Sequence, residues 1–204
     1  ASGVVVEVVD SQIKPRGVFA KNSEILITVD DNNTSPSYFT KYEILATAQD
    51  AADGSNPLSL GSTKLFWDDM GGRSAKLKIY GVSPYMEPGD ATDTERNLAD
   101  NGNITWTVKG TSVTDDDLMW TARDNYTYND AKSTGPAVLN FNHVLAKVSI
   151  TLLPHAEGFS TEELKSAVVK YHTYNEGQYN YLASPRTYNA ITKVGNDDAG
   201  IAVT

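Results

Sequence analysis

The run from Ala137 to Leu153 constrains this chain most. Within it Val138, Asn140, Asn142 and Val144 alternate with Leu139, Phe141, His143 and Leu145. A strand sends successive side chains to opposite faces, so a period of two marks a half-buried strand rather than a helix. The same grammar recurs along the chain. Val4–Val9, Glu24–Val29, Tyr42–Thr47, Lys64–Trp67, Ala75–Val82, Asn103–Val108, Asp117–Ala122 and Lys147–Leu153 read as strands, with weaker signals at Tyr181–Ala183 and Ile201–Val203. Turn chemistry lies between them: Asp53-Gly54, Gly71-Gly72, Pro88-Gly89, Asn101-Gly102, Gly135-Pro136 and Glu176-Gly177. Many short strands so punctuated predict a mainly-β protein, an antiparallel β-sandwich rather than an α/β fold.

One short helix stands out in the C-terminal part. Ser160-Thr161-Glu162-Glu163 forms a capping box, in which the serine hydroxyl accepts an exposed N–H and Glu163 reaches back. Leu164, Val168 and Tyr171 follow on one face, which predicts a helix over Thr161–Lys170. The polar stretch 123–135 reads as a connection or long surface loop, and a domain boundary is placed there. Residues 1–135 would form an N-terminal sandwich domain. Residues 136–204 would begin a second sandwich domain and leave it incomplete, since three or four strands and a helix fall short of the ~100 residues of an independent sandwich.

Composition narrows the function. A net charge of −9, from 17 basic and 26 acidic residues, argues against nucleic acid as a partner. The absence of cysteine removes disulfides, thiolate metal sites and cysteine nucleophiles together. No segment has the ~18 apolar residues that span a bilayer, so no membrane insertion of this segment is expected. The start of the sequence lacks a signal peptide's basic and apolar regions, which fits either a cytoplasmic chain or one whose targeting segment has gone. The histidines His143, His155 and His172 show no ligand spacing, and neither a Walker loop, G-x-S-x-G nor H-E-x-x-H occurs. The clusters at Asp30–Asn33, Asp115–Asp117 and Asn196–Asp198 lack the spacing of a calcium loop. No catalytic, cofactor-binding or metal residue is therefore assigned, and an enzyme is not expected. His143 falls on the Leu139–Phe141–Leu145 face and reads as a core or interface histidine. The tyrosines at 126, 128, 171, 174, 179, 181 and 188 suit core packing and a sugar- or protein-binding surface alike.

Three segments carry a family resemblance. Asp117-Leu118-Met119-x-x-Ala122 precedes the polar loop, and Phe141-x-His143-x-Leu145-Ala146-Lys147-Val148 comes after it. Upstream lies an aromatic-Trp67-Asp68-Asp69 turn leading to a strand and Tyr80-x-x-x-Pro84. Together these resemble the fimbrillins of Bacteroidetes-type surface pili. The resemblance implies sandwich domains of transthyretin-like, Greek-key kind, in which Trp67, Asp68, Asp69, Asp117, Leu118, Phe141, His143, Leu145 and Lys147 are structural positions. It further implies an exported lipoprotein, anchored at the outer membrane as part of a fimbrium and assembled by donor-strand complementation. Its partners would be other pilin subunits, and a host protein or glycan where it acts as an adhesin. A trypsin-like protease would cut after Arg16, and the strand of Val4, Val5, Val6, Val8 and Val9 would be the one exchanged. The alternative is a surface carbohydrate-binding module with Trp67, Trp106 or Trp120 on an exposed platform. Their apolar strand contexts predict that two of the three are core.

Overall fold

The computed structural model describes residues 4–9, 18–31, 41–50, 56–90, 92–108, 117–145, 147–152, 160–165, 169–171, 174–183, 188–193 and 201–203. Fourteen strands appear among them: β1 (Val4–Val9), β2 (Glu24–Asp30), β3 (Lys41–Ala48), β4 (Leu58–Ser59), β5 (Lys76–Ser83), β6 (Arg96–Leu98), β7 (Asn103–Thr107), β8 (Met119–Thr127), β9 (Asn142–His143), β10 (Lys147–Leu152), β11 (Val169–Tyr171), β12 (Tyr174–Asn180), β13 (Tyr188–Lys193) and β14 (Ile201–Val203). Two short helices, α1 (Tyr128–Ser133) and α2 (Thr161–Lys165), join them. All ladders between strands are antiparallel. A six-stranded sheet runs β4-β3-β2-β5-β8-β9, a four-stranded sheet runs β13-β12-β7-β6, and β1-β10 and β11-β14 form two-stranded ribbons. The mainly-β antiparallel sandwich expected from the sequence is the fold observed.

Packing between the two large sheets explains their order. Leu26 on β2, Tyr80 and Val82 on β5 and Leu118 before β8 meet Leu98, Ile104, Trp106, Tyr179 and Tyr181 from β6, β7 and the end of β12. Trp106 and Ile104 are fully buried there. A buried side-chain bond ties the layers, with Thr28 Oγ1 and Tyr181 Oη 2.9 Å apart. The six-stranded sheet is covered on its other face as well, which is why six of the seven residues of β2 are buried. Ile25, Ile27, Val29, Leu77 and Ile79 pack there under irregular chain: Phe19, Leu60–Trp67, Ala75 and Ala137–Phe141. Asn56 fastens this cover, accepting from Phe19 N at 2.8 Å and donating to Phe19 O at 2.9 Å.

Several expected elements take another form. Only Asn142–His143 of the predicted strand Ala137–Leu145 pairs with β8. The alternation is genuine: Ala137, Leu139 and Phe141 pack inward while Val138 stands 66% exposed. The segment lies across the face of the sheet, so its side chains alternate without a ladder. Gly81 makes room for it, because a Cβ there would stand 2.7 Å from Phe141 Cζ and 2.8 Å from Thr121 Cγ2. Lys64–Trp67 is likewise not a strand but an approach to a 3-10 turn at Trp67–Met70, which Gly71 stops in the left-handed region at φ 84°. The capping box at Ser160 forms, with Ser160 N donating to Glu163 Oε2 at 2.8 Å. Its helix ends at Lys165, and the chain is a strand by Val169, so the predicted extension to Lys170 fails. Tyr181–Ala183 is a turn, and the strand lies just before it in β12.

The expected boundary after residue 135 falls where the sheets join rather than part. β12 pairs with β7, β9 with β8 and β10 with β1, each ladder uniting residues from either side of it. The stretch read as a connection contains the second half of β8 and α1.

Candidate functional site

Two regions gather the residues singled out in the sequence: a ribbon and strap around β9, and an aromatic corner beside α1. In the ribbon β1 pairs with β10 over six positions, from Val4 opposite Leu152 to Val9 opposite Lys147. Lys147, the last residue of the Phe-x-His-x-Leu-Ala-Lys motif, thus opens the strand that holds β1. Arg16 lies outside the described residues.

The strap leads into this ribbon. Phe141 sits over Gly81 with its ring edge-on to Phe19, centroids 5.0 Å apart. Leu145, four residues on, packs instead against the cluster between the two sheets. The chain therefore turns round the sheet margin between these two positions. At the turn Val144 N donates to Leu118 O at 2.8 Å, and Leu118 is fully buried. His143 Nδ1 lies 2.7 Å from Asp117 Oδ1. The His143 side chain is 41% exposed, so of the two readings, core or interface, the core one is corrected. Among the described residues no strand pairs beyond this two-residue edge, and Asp117, just before β8, receives the ring.

The aromatic corner is built by a bulge. Leu77 faces Tyr126 and Ile79 faces Arg123, so Asp124 and Asn125 stand opposite the single residue Lys78. Asn125 takes up the extra residue at φ 57°. Such a bulge turns the strand and re-aims the side chains beyond it: Tyr126 is buried, and its hydroxyl donates to Gly135 O at 2.8 Å. Thr127 then caps α1, accepting from Asp130 N at 3.2 Å, while the Asp130 carboxylate accepts from Thr127 N at 2.9 Å. The Thr127 hydroxyl, donating to Asp130 Oδ2 at 2.7 Å, and the Thr127 N–H together hold the Asp130 carboxyl below the usual carboxylate range. Trp67 meets this frame, edge-on to Tyr128 at 5.7 Å and tilted against Tyr126 at 6.1 Å. Cations lie over the same rings: Arg73 at 5.1 Å and Lys132 at 5.7 Å from the Tyr128 centroid, and Arg123 at 4.9 Å from that of Tyr126. Asp68 and Asp69 stand exposed on the 3-10 turn.

The tryptophans divide differently from expectation. Trp106 is fully buried, whereas Trp67 and Trp120 are half-buried, each packed on a core cluster. The core packing expected of two of the three is complete for Trp106 and partial for Trp67 and Trp120. Sequence reading missed the bulge, α1 and the cations over Tyr128. The signal for α1 was present in Thr127-x-x-Asp130, a capping pair of the kind recognised at Ser160. Among the described residues no group of three or more histidine, aspartate or glutamate side chains is placed to hold a metal ion. No helix there is long and apolar enough to cross a membrane.

Comparison with known proteins adds one finding. A family model described as fimbrillin-like matches residues 8–203, nearly the whole chain. No curated protein and no solved structure matches. The match spans β2 through β14, and so takes in both large sheets, the strap and the aromatic corner. Fimbrillin-like proteins are exported, cell-surface pilus subunits and adhesins that assemble with other pilin subunits. The chain belongs to the fimbrillin-like family.

Proposed function

We propose that this chain is a subunit of a surface pilus that joins its neighbours by donor-strand complementation, with β1 as the placeholder strand. The observation that carries the reading is the β1–β10 ribbon. Among the described residues β1 pairs with β10 alone, through one continuous six-position ladder, and belongs to neither large sheet. Removal of β1 would leave a row of β10 N–H and C=O groups without partners. A strand from another subunit restores those bonds at little cost, since it replaces like with like. Cleavage after Arg16 would free β1 without cutting β2, which starts at Glu24.

In this reading the subunit is exported as a lipoprotein, becomes part of a fimbrium anchored at the outer membrane of a Bacteroidetes-type cell, and acts through assembly rather than catalysis. The alternative of a surface carbohydrate-binding module built on a tryptophan platform is weakened by the full burial of Trp106.

Light scattering and electron microscopy of the purified chain, before and after limited trypsin digestion, test the mechanism. Filaments or ladders that form after cleavage at Arg16, and that an Arg16→Ala variant fails to form, are the expected result. A cleaved protein that stays monomeric with residues 4–9 still bound would sink strand exchange and leave a terminal adhesin.

A further inference from the structure

A cavity of about 270 Å³ opens beside β6, where the chain leaves β5. Its floor is apolar: Met86 and Leu98 are buried, and Trp106 of β7 lies beneath the Arg96 guanidinium, whose carbon stands 4.4 Å from the ring centroid. The half-buried Tyr85 forms one wall. Around this apolar surface stand the charged groups of Glu87, Asp90, Asp93 and Arg96. The loop that carries them is fastened to β6 and to itself. Gly89 N donates to Leu98 O at 2.8 Å, Asn97 Nδ2 to Asp90 O at 2.8 Å, Thr92 N to Asp90 Oδ1 at 2.8 Å and Arg96 N to Asp93 Oδ1 at 3.0 Å. A carboxylate has about four acceptor sites, so the turn leaves Asp90 able to accept more.

The mixture of charges around one recess narrows what it can hold. An anion meets three carboxylates against one guanidinium. A cation meets that guanidinium, which already covers the Trp106 face a cation would seek. A neutral hydroxyl suits both kinds of group, since it donates to a carboxylate and accepts from a guanidinium. Drug-sized ligands occupy pockets of about 300–1,000 Å³, so a cavity just below that range suits a single ring. We propose that this cavity binds one neutral pyranose, the terminal unit of a glycan. Glu87 and Asp90 accept from its hydroxyls, Arg96 donates to them, and the Tyr85 ring packs on its C–H face. This is a recess for one sugar rather than a platform, and its contact ring is Tyr85, not the covered Trp106. The role stands beside strand exchange and does not rest on it.

The test is NMR titration of the purified chain with the methyl glycosides of galactose, glucose, mannose, fucose and N-acetylglucosamine, with glucuronate and glucosamine as charged controls. At least one neutral glycoside is expected to bind saturably with a Kd on the order of 1–10 mM. It should shift the Met86 methyl and Trp106 indole signals, and bind equally at low and high salt because it carries no charge to be screened. Glu87 is exposed, so Glu87→Ala keeps the fold, which an unchanged melting curve certifies, and is expected to weaken binding several-fold. Tyr85→Leu keeps an apolar wall without the ring and is expected to weaken it likewise. A preference within the panel names the sugar. Binding of none of these glycosides, shifts confined to residues away from the cavity, indifference to both substitutions, or tighter binding of either charged control would each overturn the proposal.

Discussion

At the scale of single residues, two positions carry consequences out of proportion to their size. Gly81 is the seat of Phe141, and a methyl group there has no free space. Gly81→Ala is expected to destabilise the protein by about 1–3 kcal/mol through overpacking, read as a lower urea midpoint. Pairing it with Phe141→Leu should recover part of the loss, and additive effects in that double-mutant cycle would refute the contact. Tyr181 is the second. Burial between the sheets pushes its phenol up to about 12, with the Thr28 hydroxyl opposing that rise. The unfolded phenol ionises near 10, so the folded state holds its proton over a range where the unfolded state has lost it. Stability is therefore fully present below pH 10 and falls as pH rises toward 12, by at most about 1.4 kcal/mol per pH unit from this group. Denaturation curves from pH 9 to 11.5 should show that decline, and Tyr181→Phe should flatten it. Thr28→Val should cost about 0.5–1.5 kcal/mol at neutral pH by removing the hydrogen bond between the sheets.

At the scale of elements, α1 owes its existence to its first residue more than to its length. A helix of six residues is far too short to stand by nucleation alone. Thr127→Ala is expected to cost about 1 kcal/mol and to loosen Tyr128, visible as faster amide exchange in α1 and sharper mobility of the Tyr128 ring signals. The Asp130 carboxylate contributes through the same bonds, so acidification through its lowered range should loosen α1 before the sheets melt. These short pieces also mark what could be read in the sequence. β2, β5 and the first half of β8 are legible because their apolar runs stand out and their neighbours punctuate clearly. β12 was not: Tyr174-Asn-Glu-Gly-Gln-Tyr-Asn180 has a glycine at its centre and polar residues around it. It is a strand because β7 and β13 flank it and because Tyr179 reaches the core, a tertiary cause that no local pattern records. The strap from Ala137 to Phe141 shows the converse. Its alternation reported correctly which side chains are buried, but alternation states only that one face is apolar and leaves the backbone partner open. The core reading of His143 fails because β9 is a two-residue edge strand on which the His143 side chain stands exposed beside Asp117. At the aromatic corner Trp67 was noticed, while Arg73 and Lys132, 59 residues apart in sequence, are brought together only by the bulge and turn.

At the scale of the whole molecule, three ladders join residues from either side of residue 135. A fragment of residues 1–135 lacks β12 and β13, and so keeps β6 beside β7 but loses its other partner, β12, together with the Tyr179 and Tyr181 rings of the inter-sheet cluster. Such a fragment is expected to show no cooperative urea transition. A sharp two-state melt from it would uphold the division read from sequence and assign the four-stranded sheet a lesser part in stability. The wrap of the strap round the sheet margin carries a mechanical meaning besides. Phe141 is seated on one face of the six-stranded sheet and Leu145 packs toward the other, with β10 leaving immediately beyond. Tension applied to β10 would reach the body of the protein through two seats on opposite faces. Each must be dislodged in a different direction, so a steady pull is resisted by shape before it is resisted by any hydrogen bond.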